Sequence, residues 1–263
     1  MQIAELDIIC RAFFDSFMGL YAGWNSAQAR KVEVMKQHSL RVSTLAGQLA
    51  GALHLEKEDV ALARISGLLH DLGMFPQLMS FGTADDDAAS DDHAAITLQE
   101  IERVRLFENA DEGAIHLIKQ AILYHNRAVL PDNLTDRELL FVKILRDADK
   151  LDHLEVFSTQ TTQSYSEVNG YHALQLSPRR GVSARVALTA RSGKIVGTEV
   201  LETFDDLKVM QLSRIYDLNF KASFRIVAHG RYIDKIYGTL PKRDEVIDIY
   251  RVVRIFIENQ FLN

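Results

Sequence analysis

Apolar residues recur at a period near 3.6 along most of this chain, and that repeat commits it to helices. Only four prolines occur, Pro76, Pro131, Pro178 and Pro241, and each falls where other signals also mark a break. Val34, Leu40, Leu45, Leu49 and Leu53, with Met35 and Val42 beside them, mark one long helix face. Residues 59–69, 93–107, 112–124 and 136–156 follow the same pattern, as do 204–218 and 244–261 near the end. Residues 1–20 carry Glu5, Asp7, Arg11 and Asp15 among apolar neighbours and read as an amphipathic helix rather than a signal peptide. Strands are scarce. The segment 182–196 is either a hairpin turning at Arg191-Ser192-Gly193-Lys194 or a helix stopped by Gly193, and the helix is preferred. The polar stretch 158–180 reads as an excursion or a lid. The expected fold class is all-α, as one domain with a C-terminal helical extension.

Into this helical pattern the chain places an adjacent histidine and carboxylate, His70-Asp71, at the end of the apolar run Ile65-Ser66-Gly67-Leu68-Leu69. Charge is expensive to bury there unless something offsets it, and a divalent metal does so. Three further histidines, His38, His93 and His125, lie within or at the end of apolar-periodic helices, and Asp147 and Asp149 follow. Imidazole and carboxylate together suit Fe, Mn, Co, Ni or Zn. Four histidines and two aspartates exceed the needs of one closed tetrahedral site. That count points to two ions bridged by a carboxylate, with positions left for water and substrate. Asp71, with two oxygens beside a ligand histidine, is the natural bridge, and a hydroxide between the ions would be the nucleophile. Asp147 and Asp149 stand about 200° apart on a helix, so spacing alone does not choose between them.

The remaining histidines lack this setting. His54 sits at a helix end, where the dipole favours it, and His153 lies close enough to Asp149 to support a ligand. The acidic run 84–92 holds five aspartates. It reads as a solvated loop whose last members, Asp91 and Asp92, cap the helix carrying His93.

Composition narrows the class. At a net charge of -6 there is no strongly basic surface, so DNA duplex binding is not expected. The single cysteine, Cys10, excludes an internal disulfide and a thiolate zinc site, which fits a reducing, cytoplasmic setting. No run approaches the roughly 18 apolar residues of a membrane span.

The ordered set resembles the HD-domain superfamily of metal-dependent phosphohydrolases. The matching pieces are Lys36-Gln37-His38-Ser39, Gly67-Leu68-Leu69-His70-Asp71-Leu72-Gly73, Asp92-His93-Ala94, Ile122-Leu123-Tyr124-His125-Asn126 and Arg146-Asp147-Ala148-Asp149-Lys150-Leu151-Asp152. The resemblance is strongest to bacterial HD-domain proteins of unassigned substrate. It implies an all-α bundle with the metal site in its core. The expected layout is a single HD-type domain over 1–263, with a metal-binding core over 27–157 and a helical extension over 180–263.

By this resemblance His38, His70, Asp71 and Asp149 hold one ion. His93 and His125 match the additional histidines of binuclear members, and Asp147 becomes a supporting or helix-surface residue. The catalytic pair is His70 and Asp71, and the cofactor is a divalent metal, two ions, drawn from Fe, Mn, Co, Ni, Zn or Mg. The implied activity is hydrolysis of a small phosphorylated substrate, nucleotides included, through a metal-bound hydroxide. Candidate phosphate contacts are Arg146, Lys150, Arg127, Lys221 and Arg225.

Met74 stands where cyclic-dinucleotide-cleaving members often carry a lysine, and His125 stands alone where cyclic-di-GMP enzymes have a tandem pair. A di-iron oxygenase on the same fold and a non-catalytic metal-binding signalling domain are the competing readings. The oligomeric state is left open, a homo-oligomer included.

Overall fold

The computed structural model describes residues 1–21, 26–81, 92–168 and 174–262. These residues form thirteen α-helices. Among them the only strand-like pairing is an isolated bridge between Ser177 and Thr203, and no helix is long and apolar enough to cross a membrane. The fold is all-α. The chain divides into two compact units, Met1–Asp149 and Lys150–Asn263.

The first unit is built around α3 (Lys57–Leu69), which packs against α1 (Ile3–Gly19), α2 (Ser26–Ala52) and α6 (Glu112–Tyr124). Leu62, Ile65, Leu68 and Leu69 of α3 are buried. Each such side chain contributes about 1.5–3 kcal/mol relative to exposure. That stabilisation holds the helix in place up to the polar residues that end it. The crossing with α2 is tight: a Cβ on Gly67 would lie 2.9 Å from the backbone of Ser43. The Ser43 hydroxyl donates to the Arg64 carbonyl across the same contact, at 2.8 Å.

Helix α4 (Met74–Phe81) follows directly and contains Pro76, which the sequence presents as a break. Proline is tolerated there because it falls in the first turn, where a backbone N–H has no partner within the helix. Helix α5 (His93–Arg103) packs on α4 and α6. It stops short of the expected Phe107 because Arg105 takes a left-handed conformation, φ 51°. Arg105 N–H reaches the Glu102 carbonyl and Leu106 N–H the Ile101 carbonyl, the hydrogen-bond pair that closes a helix at a left-handed residue. His54 occupies the same position after α2, with φ 58° and the equivalent bonds from His54 to Gly51 and from Leu55 to Ala50. Its role at the helix end is therefore backbone closure in a place where glycine is the usual residue.

Helix α7 (Asp136–Thr159) is capped by Thr135. The Thr135 hydroxyl accepts from Glu138 N–H at 3.3 Å, and Glu138 Oε2 accepts from Thr135 N–H at 2.6 Å. This reciprocal cap starts the helix sharply. Residues through Asp149 belong to the first unit.

The second unit contains the remainder of α7 and α8 to α13. Helix α8 (Thr162–Val168) lies within the polar stretch expected to be an excursion, so part of that stretch is helical. Segment 182–196 contains α9 (Ala184–Arg191), ended by Gly193 at φ 72°, in line with the helical alternative. Helix α10 (Phe204–Ser213) packs against α8, α9 and α12 (Tyr232–Gly238). Its cap is reciprocal between Thr203 and Asp206, and a 3₁₀ turn continues it to Asp217. Helices α11 (Lys221–Gly230) and α13 (Asp244–Leu262) pack on each other.

Candidate metal centre

His70 and Asp71 follow the last residue of α3, and His125 follows the last residue of α6. A helix end leaves its final carbonyls without backbone partners. Both histidines use this. His70 Nδ1 donates to the Gly67 carbonyl at 2.9 Å, and His125 Nδ1 donates to the Ile122 carbonyl at 2.7 Å. In each case a carbonyl can only accept, so the proton sits on Nδ1 and the Nε2 lone pair faces outward from the helix. This is the tautomer a metal ligand needs.

The six positions expected from sequence converge. Asp71 Oδ2 lies 3.5 Å from His38 Nε2 and 3.2 Å from His70 Nε2. Its other oxygen, Oδ1, lies 3.4 Å from His93 Nε2 and 3.5 Å from His125 Nε2. Asp149 Oδ1 lies 3.3 Å from His38 Nε2 and 4.0 Å from His70 Nε2. His93 Nε2 and His125 Nε2 are 3.1 Å apart. One carboxylate thus stands between two pairs of imidazole nitrogens, with a second carboxylate beside the first pair. Among the described residues, two groups have the spacing to hold an ion: His38, His70 and Asp149, and His70, Asp71 and His125.

The electrostatics favour the ligand forms. Burial pushes the Asp71 carboxyl up, but the imidazoles of His70, His125 and His38 packed around it outweigh this and hold the group well below the usual carboxylate range. Burial pushes His125 down, and His70 and His93 add to this against the opposing pull of Asp71, so the ring is held neutral. His70 is fully buried, and its Nε2 has no hydrogen-bond partner. A buried imidazole nitrogen with its lone pair turned toward two carboxylates is costly in isolation and is satisfied by a cation. On this ground the residues fit a divalent ion.

The surroundings sort the other candidates. Asp147 is fully buried, which removes a helix-surface role. Asp92 caps α5 by accepting from Ala94 N–H at 3.0 Å, as expected. It also pairs with Arg127 and accepts from Asn126 Nδ2 at 3.2 Å, which ties the start of α5 to the turn after His125. The remainder of the acidic run, 84–91, lies outside the described residues.

Arg146 is buried, and its Nη1 donates to the carbonyls of Tyr124, His125 and Arg127 at 3.2, 3.1 and 2.6 Å. In the second unit, Lys150 Nζ lies 2.7 Å from Asp217 Oδ2, and Lys221 and Arg225 are exposed on α11. His153 Nδ1 lies 2.7 Å from the Tyr165 hydroxyl. Sequence reasoning passed over Thr97. Its hydroxyl donates to the His70 carbonyl at 3.0 Å and accepts from Gly73 N–H at 2.8 Å. The available signal was a threonine one turn after His93 on the face that α5 buries.

Residues 35–154 match the family model described as HD domain. This stretch, which contains all six converging residues, is similar to HD domains, and the match is consistent with the HD-domain superfamily of metal-dependent phosphohydrolases. No curated protein and no solved structure matches the chain.

Proposed function

We propose that this protein is a metal-dependent phosphohydrolase that cleaves a phosphoester in a small phosphorylated substrate, nucleotides among them, at a two-ion site. The reading is carried by one observation: the two oxygens of Asp71 each face a separate pair of imidazole nitrogens. His38, His70, Asp149 and Asp71 Oδ2 would hold one ion. His93, His125 and Asp71 Oδ1 would hold the other. Ions of this kind supply an activated water as nucleophile at neutral pH and polarise a phosphoryl oxygen. No serine or cysteine nucleophile is then required.

The protein's own groups prepare the site. The Gly67 and Ile122 carbonyls keep the protons of His70 and His125 on Nδ1, away from the reacting side. The depressed Asp71 carboxyl stays ionised throughout the neutral range. Arg127, whose side chain is 48 % exposed and stands two residues past His125, is the cation best suited of the five to meet a substrate phosphate. Arg146 serves the backbone instead.

The test is purified protein loaded with Mn²⁺ or Fe²⁺ and assayed on a panel of nucleotides and generic phosphoesters. Phosphate release that His70→Ala abolishes is the expected result. Phosphate release that survives His70→Ala removes the proposed site. Oxygen consumption without phosphate release replaces hydrolysis by oxidative chemistry.

A further inference from the structure

We infer that Thr97 is a positioning residue that sets the place of His93 relative to Asp71, so that its hydroxyl controls occupancy of the His93–His125 half of the centre. The inference rests on the two-ion reading above. Thr97 is fully buried, and its hydroxyl is saturated by one bond given and one received. Both partners, the His70 carbonyl and Gly73 N–H, belong to the turn that presents Asp71.

The backbones themselves are in contact at this point. A Cβ on Gly73 would fall 2.1 Å from the His93 carbonyl oxygen and 2.7 Å from Thr97 N. Only glycine lets the turn lie flat against the first turn of α5. His93 is the first residue of α5, and Thr97 is four residues on, one turn along the same face. Whatever fixes Thr97 therefore fixes His93.

The two ends of the linkage are not equally dependent on it. The turn 70–73 follows α3, whose apolar face is buried against three helices. Helix α5 is only 11 residues long, and its start is held by Asp92. Loss of the Thr97 hydroxyl would therefore displace α5 and His93 more than His70. Two groups in a dry setting, the Gly73 N–H and one lone pair of the His70 carbonyl, would be left without the partner they have.

The test is a Mn²⁺ titration of the full chain, followed by electron paramagnetic resonance and by measured metal content, in wild type and in Thr97→Val. Valine keeps the volume and removes the hydroxyl. The wild type is expected to take up two Mn²⁺ and show a spin-coupled pair. Thr97→Val should keep the first ion with nearly unchanged affinity, bind the second about 10–100-fold more weakly and show the spectrum of an isolated ion. Thr97→Ser should restore the coupled pair.

A merely structural role would lower the melting temperature of the apo protein without separating the two affinities. Equal weakening of both ions, or a coupled pair in Thr97→Val, overturns the inference. If Thr97→Val fails to fold, Thr97→Ala carries the same comparison. A wild type that binds one Mn²⁺ or none overturns the two-ion reading and the inference with it. Two bound ions without phosphoester cleavage overturn the hydrolase reading and leave the inference standing.

Discussion

His38 and Asp149 project from the interiors of α2 and α7, helices of 27 and 24 residues, whereas His93 begins the 11-residue α5 and His125 caps α6. His38 takes its geometry from helix packing: the close approach at Gly67 and the buried apolar face of α3 bring α2 against His70. At the second pair, where α5 packs on α6, the position of each histidine at a helix end depends in addition on separate polar bonds. Asp92 holds the start of α5, Thr97 holds α5 to the turn 70–73, and Arg146 holds the turn around His125. Packing is distributed over many contacts and fails gradually, whereas a polar link in a dry site fails when one atom is removed. The His93–His125 half should therefore be the half most easily lost.

The sharpest break comes from removing one ligand on each side. His38→Ala and His125→Ala should each reduce bound metal from two ions to one and lower phosphoester turnover by more than about a hundredfold, because losing a ligand exceeds the cost of losing its support. Metal content and turnover measured together check this. The comparison predicts a further asymmetry: the ion left in His125→Ala, held by the helix-packed half, should be the more tightly bound. The reverse order would show that helix packing does not make the better site.

A smaller effect is expected at Arg146. Arg146→Met keeps much of the stem but loses the guanidinium donor shared by three carbonyls. Hydrogen bonds from a charged donor contribute about 1.5–3 kcal/mol, so a loss of roughly that size in unfolding free energy is expected, with weakened second-ion binding. Chemical denaturation and metal titration check it. An unchanged denaturation midpoint with a raised KM would instead return Arg146 to the substrate.

Arg146 also shows where sequence reading stops. Its charge within α7 reads as solvated or phosphate-facing, because the one-dimensional pattern does not reveal that three carbonyls at the end of α6 converge on it. Thr97 is silent for the same reason: its partners lie 24 and 27 residues away in sequence. The grouping of His38, His70, Asp71, His93 and His125 was legible because ionisable residues interrupt apolar helices at each position, and such interruptions need a common cause; the choice of Asp149 over Asp147 came from the family resemblance, since helix spacing left both open. The helix starts were legible where caps are local, as at Asp92 and Asp111, which accepts from Ala114 N–H at 2.8 Å. The end of α5 at Arg105 was not, and the end at His54 was read without its left-handed closure, since neither residue advertises a left-handed backbone. Pro76 misled because proline breaks a helix interior but fits a first turn.

The smallest effect separates the two kinds of anchoring on α7 itself, the helix that carries Asp149 to the packed half. Its start depends on the cap between Thr135 and Glu138, about three helical turns before Asp149. Glu138 accepts from the side chain and backbone of Thr135 and pairs with His116 at 2.5 Å, and these contacts lower its pKa from 4.5 to about 2. A carboxyl whose folded pKa is depressed stabilises the fold above its unfolded value, and that contribution is lost as pH falls toward the folded value. Stability should therefore decline between about pH 4.5 and 2 in wild type and decline less steeply there in Glu138→Gln. Thr135→Ala should cost about 1 kcal/mol at neutral pH, the usual value of a helix cap. Neither substitution should alter the number of ions bound, since the buried side chains of α7 ahead of Asp149, Phe141, Val142, Ile144 and Leu145, are left in place. A change in metal content on removing this cap would mean that the His38–Asp149 half depends on a single polar link after all, and the contrast between the two halves would collapse.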